Sequence, residues 1–169
     1  MPNVDINAIL DDSKTYKPEV LRALKEFKRA KTFRTTISLG ERLTAMQELI
    51  NKLTTIYAMP PITVTFQENP AFPNGILELL GGGDIASGMS QALPETREIR
   101  MRGRLSLITL LHEFAHLRFG SEELKAQRWA VNLFRKVYPK QFARLQFNGW
   151  GFVQVPTPPA TPAPENMVV

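Results

Sequence analysis

At 169 residues with 43 % hydrophobic side chains, the chain can bury the core of one domain and needs no second. The absence of cysteine excludes disulfides and thiolate metal sites, and no stretch approaches the ~20 apolar residues of a membrane-spanning helix. A formal net charge of +5 permits attraction to nucleic acid, acidic proteins or anionic surfaces, but the charge is spread along the chain and selects none of them.

The opening Met1-Pro2-Asn3-Val4-Asp5 has neither the basic start nor the apolar run of a signal peptide, which sets the expectation of a soluble, cytoplasmic protein without membrane contact. After this polar leader the pattern predicts a helix over 17–31, with Val20, Leu21, Leu24 and Phe27 as its apolar stripe. The stretch from Lys14 to Arg42 is the densest in positive charge, with nine Lys or Arg against Glu19, Glu26 and Glu41. Lys25, Lys28, Arg29 and Lys31 are candidates for weak nucleic-acid binding, set against a plainer role as the solvated face of that helix. No zinc-finger or RNA-binding signature accompanies them. A second helix is predicted over 41–57, where Leu43, Met46, Leu49, Ile50 and Leu53 recur at helical spacing, and Pro60-Pro61 stops it.

Ile62-Thr63-Val64-Thr65-Phe66 alternates apolar and polar residues with β-branching, a strand signal. Asn69-Pro70, Pro73-Asn74-Gly75 and Gly81-Gly82-Gly83 mark turns. The glycine triplet lacks the Lys-Ser/Thr that completes a phosphate loop, so it is expected as a hairpin or loop. Arg100, Arg102 and Arg104 fall on one side of an extended segment, as a row selecting acidic targets or as charges guarding a sheet edge.

Leu105, Leu107, Ile108, Leu110 and Leu111 then lead into His112-Glu113-Phe114-Ala115-His116, which contains both histidines of the chain. On a helix, residues four apart share a face, so both imidazoles can turn to one ion, and this spacing is that of a helical zinc site. Glu113, one step round from His112, suits a general base beside the metal. An apolar helix carrying these groups needs something to satisfy them, because unpaired polar groups in a core are costly. A hydrolytic zinc site uses three protein ligands, and without further His or Cys the third has to be a carboxylate. Gly120 and Ser121 read as the stop of one helix and the N-cap of the next, which Glu122 and Glu123 open. A short turn makes the helices antiparallel neighbours and brings either carboxylate toward His116.

The segment from Glu123 to Ala130 resembles the Glu-x-x-Ala helix of gluzincin-type peptidases, and Trp129-Ala130 its aromatic-Ala pair. From about Ile85 to Phe134 the chain is similar to a minimal zincin domain of the ImmA/IrrE-like kind. The resemblance implies His112, His116 and Glu123 as zinc ligands, Glu113 as general base, and Ala126 as the small residue that lets the helices approach. It also implies strands at Ala86–Ser90 and Arg97–Met101, flanking Leu93-Pro94-Glu95-Thr96 as a hairpin, with Arg97 to Arg102 as an edge that takes an extended peptide. Glu122 occupies the spacing of a metzincin's third ligand, but Phe119 replaces the glycine of that motif.

The second helix of the site is expected to run to Tyr138-Pro139, after which Phe142, Leu145, Phe147, Trp150, Phe152 and Val153 are apolar enough to pack back on the domain. From Pro156 to Pro164 five prolines and no large apolar residue indicate a disordered or polyproline tail. The expected fold is α+β and zincin-like: a small antiparallel or mixed sheet packed on the His-bearing helix and the Glu-bearing helix that follows. A single domain spans 1–155, with N-terminal helices over 17–58 and the sheet and site helices over 62–138, ahead of a tail over 156–169. The expected function is zinc-dependent hydrolysis of peptide bonds in an intracellular protein; a second donor to the oxyanion is expected but not identified by the sequence, and Arg118, Arg128 and Tyr138 are candidates set against plainer roles on the surface or in packing. The alternative is a catalytically inactive zincin-like module or a nucleic-acid-associated regulatory one.

Overall fold

In the computed structural model, residues 5–30, 38–67, 90–102, 105–147 and 152–154 are described. Three helices come first: α1 (Ile6–Ile9), α2 (Pro18–Arg29) and α3 (Leu39–Ile56). The short α1 falls in the stretch read as a polar leader; Asp5 caps it by accepting from the Asn7 N–H, and its Ile9 is fully buried. Pro18 opens α2, where its fixed φ suits a helix start and its missing N–H costs nothing. Val20, Leu24 and Phe27 are buried, so the amphipathic stripe is real. Ser38 starts α3 through a capping box with Glu41, which sets the helix two residues before the expected boundary.

The strands β1 (Thr63–Gln67), β2 (Gln91–Leu93) and β3 (Glu98–Arg102) form one sheet in the order β1-β3-β2. β3 runs parallel to β1, with Val64 beside Ile99, and antiparallel to β2, with Ala92 beside Ile99. Ile99 and Met101 point into the core, fully buried, while Glu98 and Arg100 take the other face. The hairpin flanks the expected turn, but β2 begins at Gln91, just beyond the segment singled out for it; Ser90 lies outside the strand, and 86–89 fall outside the described residues. The expectation for Arg97 to Arg102 needs correction. β3 is the central strand, paired on both sides, so it offers no edge. Nor is Arg100 part of a free basic row, since Glu98 accepts from its guanidinium at 3.3 Å. Arg104 and the glycine triplet lie outside the described residues.

The free edge of β1 is met by a side chain. Gln47 of α3 donates from Nε2 to the Ile62 carbonyl at 2.8 Å and accepts the Val64 N–H at 2.8 Å, as a neighbouring strand would. Two long helices follow, α4 (Leu107–Phe119) and α5 (Glu123–Val137), then the short α6 (Pro139–Phe142) and the antiparallel hairpin of β4 (Leu145–Phe147) and β5 (Phe152–Gln154). Phe142 and Leu145 pack against the core as expected. The described residues are thus a mixed α+β fold of six helices and a three-stranded mixed sheet with a separate hairpin. One core joins α2, α3, the inner face of the sheet, α4 and α5. Lys31, Trp150 and the proline-rich stretch lie outside the described residues; among those described, no helix is long and apolar enough to cross a membrane.

Two features of the N-terminal third were not legible in advance. Lys28, read as part of a solvated basic face, donates to the Val137 carbonyl at 3.0 Å and sits over the Tyr138 ring. The segment from Asp5 to Tyr16 forms a strap along α5: Asn132 donates to the Ile9 carbonyl at 2.8 Å and accepts the Asp11 N–H at 2.9 Å. Ion pairs from Arg128 to Asp11 and from Arg135 to Asp12, both 3.0 Å, extend it. The Tyr16 hydroxyl closes it by donating to the Trp129 carbonyl at 2.7 Å.

Candidate metal centre

α4 starts at Ser106, whose hydroxyl accepts from the Thr109 N–H. Leu107, Leu110, Leu111, Phe114 and Ala115 are buried, and that apolar majority fixes the rotation of the helix. His112 and His116 then flank it on the side of α5, with only 17 % and 13 % of their side chains exposed. Gly120 ends α4 at φ 104°, a conformation open to glycine, and the chain reverses within Gly120, Ser121 and Glu122. The N-cap of α5 is Glu122, without a side-chain capping bond, and not Ser121 as expected. That offset makes Glu123 the first helical residue and turns it toward the histidines. Glu122 instead lines a shallow cleft with Lys14, Leu124, Lys125 and Arg128. Ala115, Ala126 and Ala130, all fully buried, keep α4 and α5 close.

The three side chains converge. Nε2 of His112 lies 3.0 Å from Oε2 of Glu123, Nε2 of His116 lies 3.0 Å from its Oε1, and the two Nε2 atoms are 3.1 Å apart. Donors at ~2.0–2.1 Å from a tetrahedral ion stand ~3.3 Å from one another, so this triangle has nearly the size of one face of a zinc shell. These three donors could hold a metal ion.

The chemistry of the donors agrees. Nδ1 of His116 is 2.9 Å from the Gly120 carbonyl, which can only accept, so Nδ1 carries the proton and Nε2 keeps its lone pair. That lone pair faces a carboxylate and a second imidazole nitrogen, an arrangement stable only with positive charge between them. A proton serves in the metal-free state: the Glu123 carboxylate lifts His116 to about 8, against burial and with help from the Gly120 carbonyl. In return, hydrogen bonds from His112 and His116 hold Glu123 far below the usual carboxylate range. A cation accepts all three lone pairs at once.

Glu113 lies on the adjacent flank of α4 and is 7 % exposed. Burial pushes its carboxyl up, His112 and His116 pull it back, Glu123 adds to the rise, and the Ala92 N–H lowers it. A buried carboxyl raised from its ordinary value next to a ligand set is suited to holding and passing a proton. The three candidates for an oxyanion donor are taken up elsewhere. Arg118 lies over the rings of Tyr57 and Phe119, Arg128 pairs with Asp11, and the Tyr138 hydroxyl donates to the Leu24 carbonyl.

Two contributors were missed from the sequence, the Gly120 carbonyl and the Ala92 N–H. The helix-ending glycine was visible, but which side chain its carbonyl would orient was not; the Ala92 amide depends on where β2 docks. Comparison with models of known protein families, with curated proteins and with solved structures finds no match.

Proposed function

We propose that this chain is a zinc-dependent peptidase of zincin-like architecture, with His112, His116 and Glu123 as metal ligands and Glu113 as general base. The observation that carries the reading is the convergence of two imidazole nitrogens and a carboxylate at 3.0–3.1 Å beside a buried glutamate on the same helix. Two imidazoles and one carboxylate make a donor set that suits zinc, and three protein ligands are the number hydrolytic sites use. Zinc bound there would acidify water and polarise a substrate carbonyl.

The protein's own groups have definable tasks. The Gly120 carbonyl holds the His116 ring so that Nε2 points inward. Glu113 takes a proton from the attacking water and delivers it to the leaving amine, a task its raised carboxyl favours. The sheet favours a peptide over a compact substrate. β1 has its edge closed by Gln47, whereas β2 pairs only with β3 among the described residues, and its Ala92 amide is directed at Glu113. An extended peptide adding to β2 would run past Glu113.

Metal content by mass spectrometry on untagged protein tests the ligand set. Near-stoichiometric zinc that is lost in His116→Ala and Glu123→Ala but kept in Glu122→Ala is the expected result. Glu113→Gln should keep its zinc and lose hydrolysis of a peptide library. Wild-type protein that takes up no metal when zinc is supplied would end the proposal.

A further inference from the structure

Glu123 occupies the weakest place on its helix. It is the first residue of α5, its N-cap provides no side-chain capping bond, and its side chain is 47 % exposed. Helix ends open locally at low cost, so a ligand there needs support from outside its own turn. That support lies on the opposite face. Asn132 is nine positions after Glu123, about two and a half turns, which puts them on opposite sides of α5. One side meets α4 and the histidines; the other meets the strap.

The strap is fastened by hydrogen bonds and ion pairs as well as by apolar contact. Asn132 is 5 % exposed, and its amide bonds the Ile9 carbonyl, the Arg128 carbonyl and the Asp11 N–H at 2.7–2.9 Å. Asp11 answers on its other side: Oδ2 accepts from Arg128 at 3.0 Å, and Oδ1 accepts from the Ser13 amide and hydroxyl at 3.0 and 2.6 Å. The turn that follows carries Lys14 alongside Glu122, Leu124 and Lys125, next to the first turn of α5. Undocking would exchange two of the Asn132 partners, the Ile9 carbonyl and the Asp11 N–H, for water, while the Arg128 carbonyl stays with α5.

We propose that the strap is a positioning device for the metal centre, with Asn132 and Asp11 as its positioning residues. Docked, it clamps α5 against α4 and holds Glu123 at the two histidines. The inference rests on the metal-centre reading above. By reciprocity, a cation drawing Glu123 to the histidines tightens the strap by the same factor that the strap tightens the cation.

Zinc alone, added to the full chain, is the probe, with affinity and amide hydrogen exchange as the readouts. In wild type, zinc should slow exchange of the Asp11 amide, and His116→Ala should abolish that slowing. Asp11→Ala and Asn132→Leu should weaken zinc binding about fivefold or more, the lower end of ordinary coupling. Val64→Ala, which removes a half-buried side chain from the sheet, is the control for general destabilisation and should leave affinity unchanged. Asp11→Ala alters a partly exposed side chain and keeps the test available should Asn132→Leu fail to fold. Affinities of folded strap variants within about twofold of wild type, or exchange at Asp11 indifferent to zinc, would overturn the coupling and leave the metal centre standing. Wild-type protein that binds no zinc would overturn both.

Discussion

The helix pairs α2–α3 and α4–α5 carry charged residues in opposite ways. In the first, charge lies where water supports it: Glu26 of α2 and Lys52 of α3 meet at 2.8 Å with about half of each side chain exposed. Such a pair is worth little and explains nothing about function. In the second, Glu113 is buried and two imidazoles share one carboxylate across the helix interface. Groups placed there cost free energy unless something satisfies them. The lesson is that an ion pair becomes informative when the fold has withdrawn one partner from water, as it has the two histidines facing the half-exposed Glu123.

The largest break in that contrast should come from the ligands. His116→Ala or Glu123→Ala is expected to lower zinc affinity by about 100-fold or more, beyond the 10–100-fold typical of outer partners, as read by competition with a chromogenic chelator. Glu26→Ala should leave that affinity where it is. If Glu26→Ala weakened zinc as much as Glu123→Ala, the two helix pairs would not be electrostatically distinct.

Packing comes next. Ala126 is fully buried between α4 and α5, so Ala126→Leu should cost about 1–3 kcal/mol in chemical denaturation and weaken zinc binding by separating the helices. Ala23 is buried as well but borders an open groove with Glu19, Lys52 and Ile56, so Ala23→Leu should cost less than Ala126→Leu. Equal costs at the two alanines would show that the α4–α5 interface is no tighter than the other.

The two described glycines on these pairs should respond with opposite sign. Gly120 has open space where a Cβ would go, but its φ of 104° makes Gly120→Ala strained by about 1–3 kcal/mol, with zinc affinity falling as the His116 ring loses its fixed acceptor. Gly40 also has open space and is the second residue of α3, where alanine fits the helical backbone, so Gly40→Ala should stabilise by about 0.4–1 kcal/mol, chiefly through the unfolded chain. A stabilising Gly120→Ala would falsify the assigned turn.

The smallest effect is a pH dependence confined to the site. Because His116 is raised from 6.5 to about 8, its contribution to metal-free stability is full below 6.5 and lost as pH rises through 8. Glu123 is depressed, so its contribution is present above 4.5 and lost as pH falls below it. Metal-free protein should therefore melt highest between these limits. Zinc must displace the His116 proton, so its affinity should fall as pH drops below about 8. Calorimetry near neutral pH in buffers of different ionisation enthalpy should detect close to one proton released; a value near zero would contradict the shared-proton picture.

Legibility followed the range of the interactions. The stripe of Val20, Leu24 and Phe27 is a local pattern that reappears as a buried face, and Val64 and Phe66 of the alternating segment pack half-buried against the core. The capping box of Ser38 and Glu41 is equally local, and it places the start of α3 ahead of the first residue of the apolar repeat. The central place of β3 was not readable, because strand order depends on where β1 docks, across residues far apart in the chain. The choice between Glu122 and Glu123 was open for a similar reason: neighbouring residues differ only by the rotation of α5, and Glu122 as N-cap sets that rotation.

By itself the sequence determined the donor types and their helical spacing, since His112 and His116 four residues apart share a helix face wherever that helix is placed. It also determined that no thiolate competes. Only the tertiary structure decided that Glu123 completes the triangle, that the Gly120 carbonyl orients His116, that β3 pairs on both sides, with β1 and β2, and that the leader is a strap on α5. Spacing along a helix is set by backbone geometry within one segment. Convergence across helices is set by packing among segments, which no local pattern encodes.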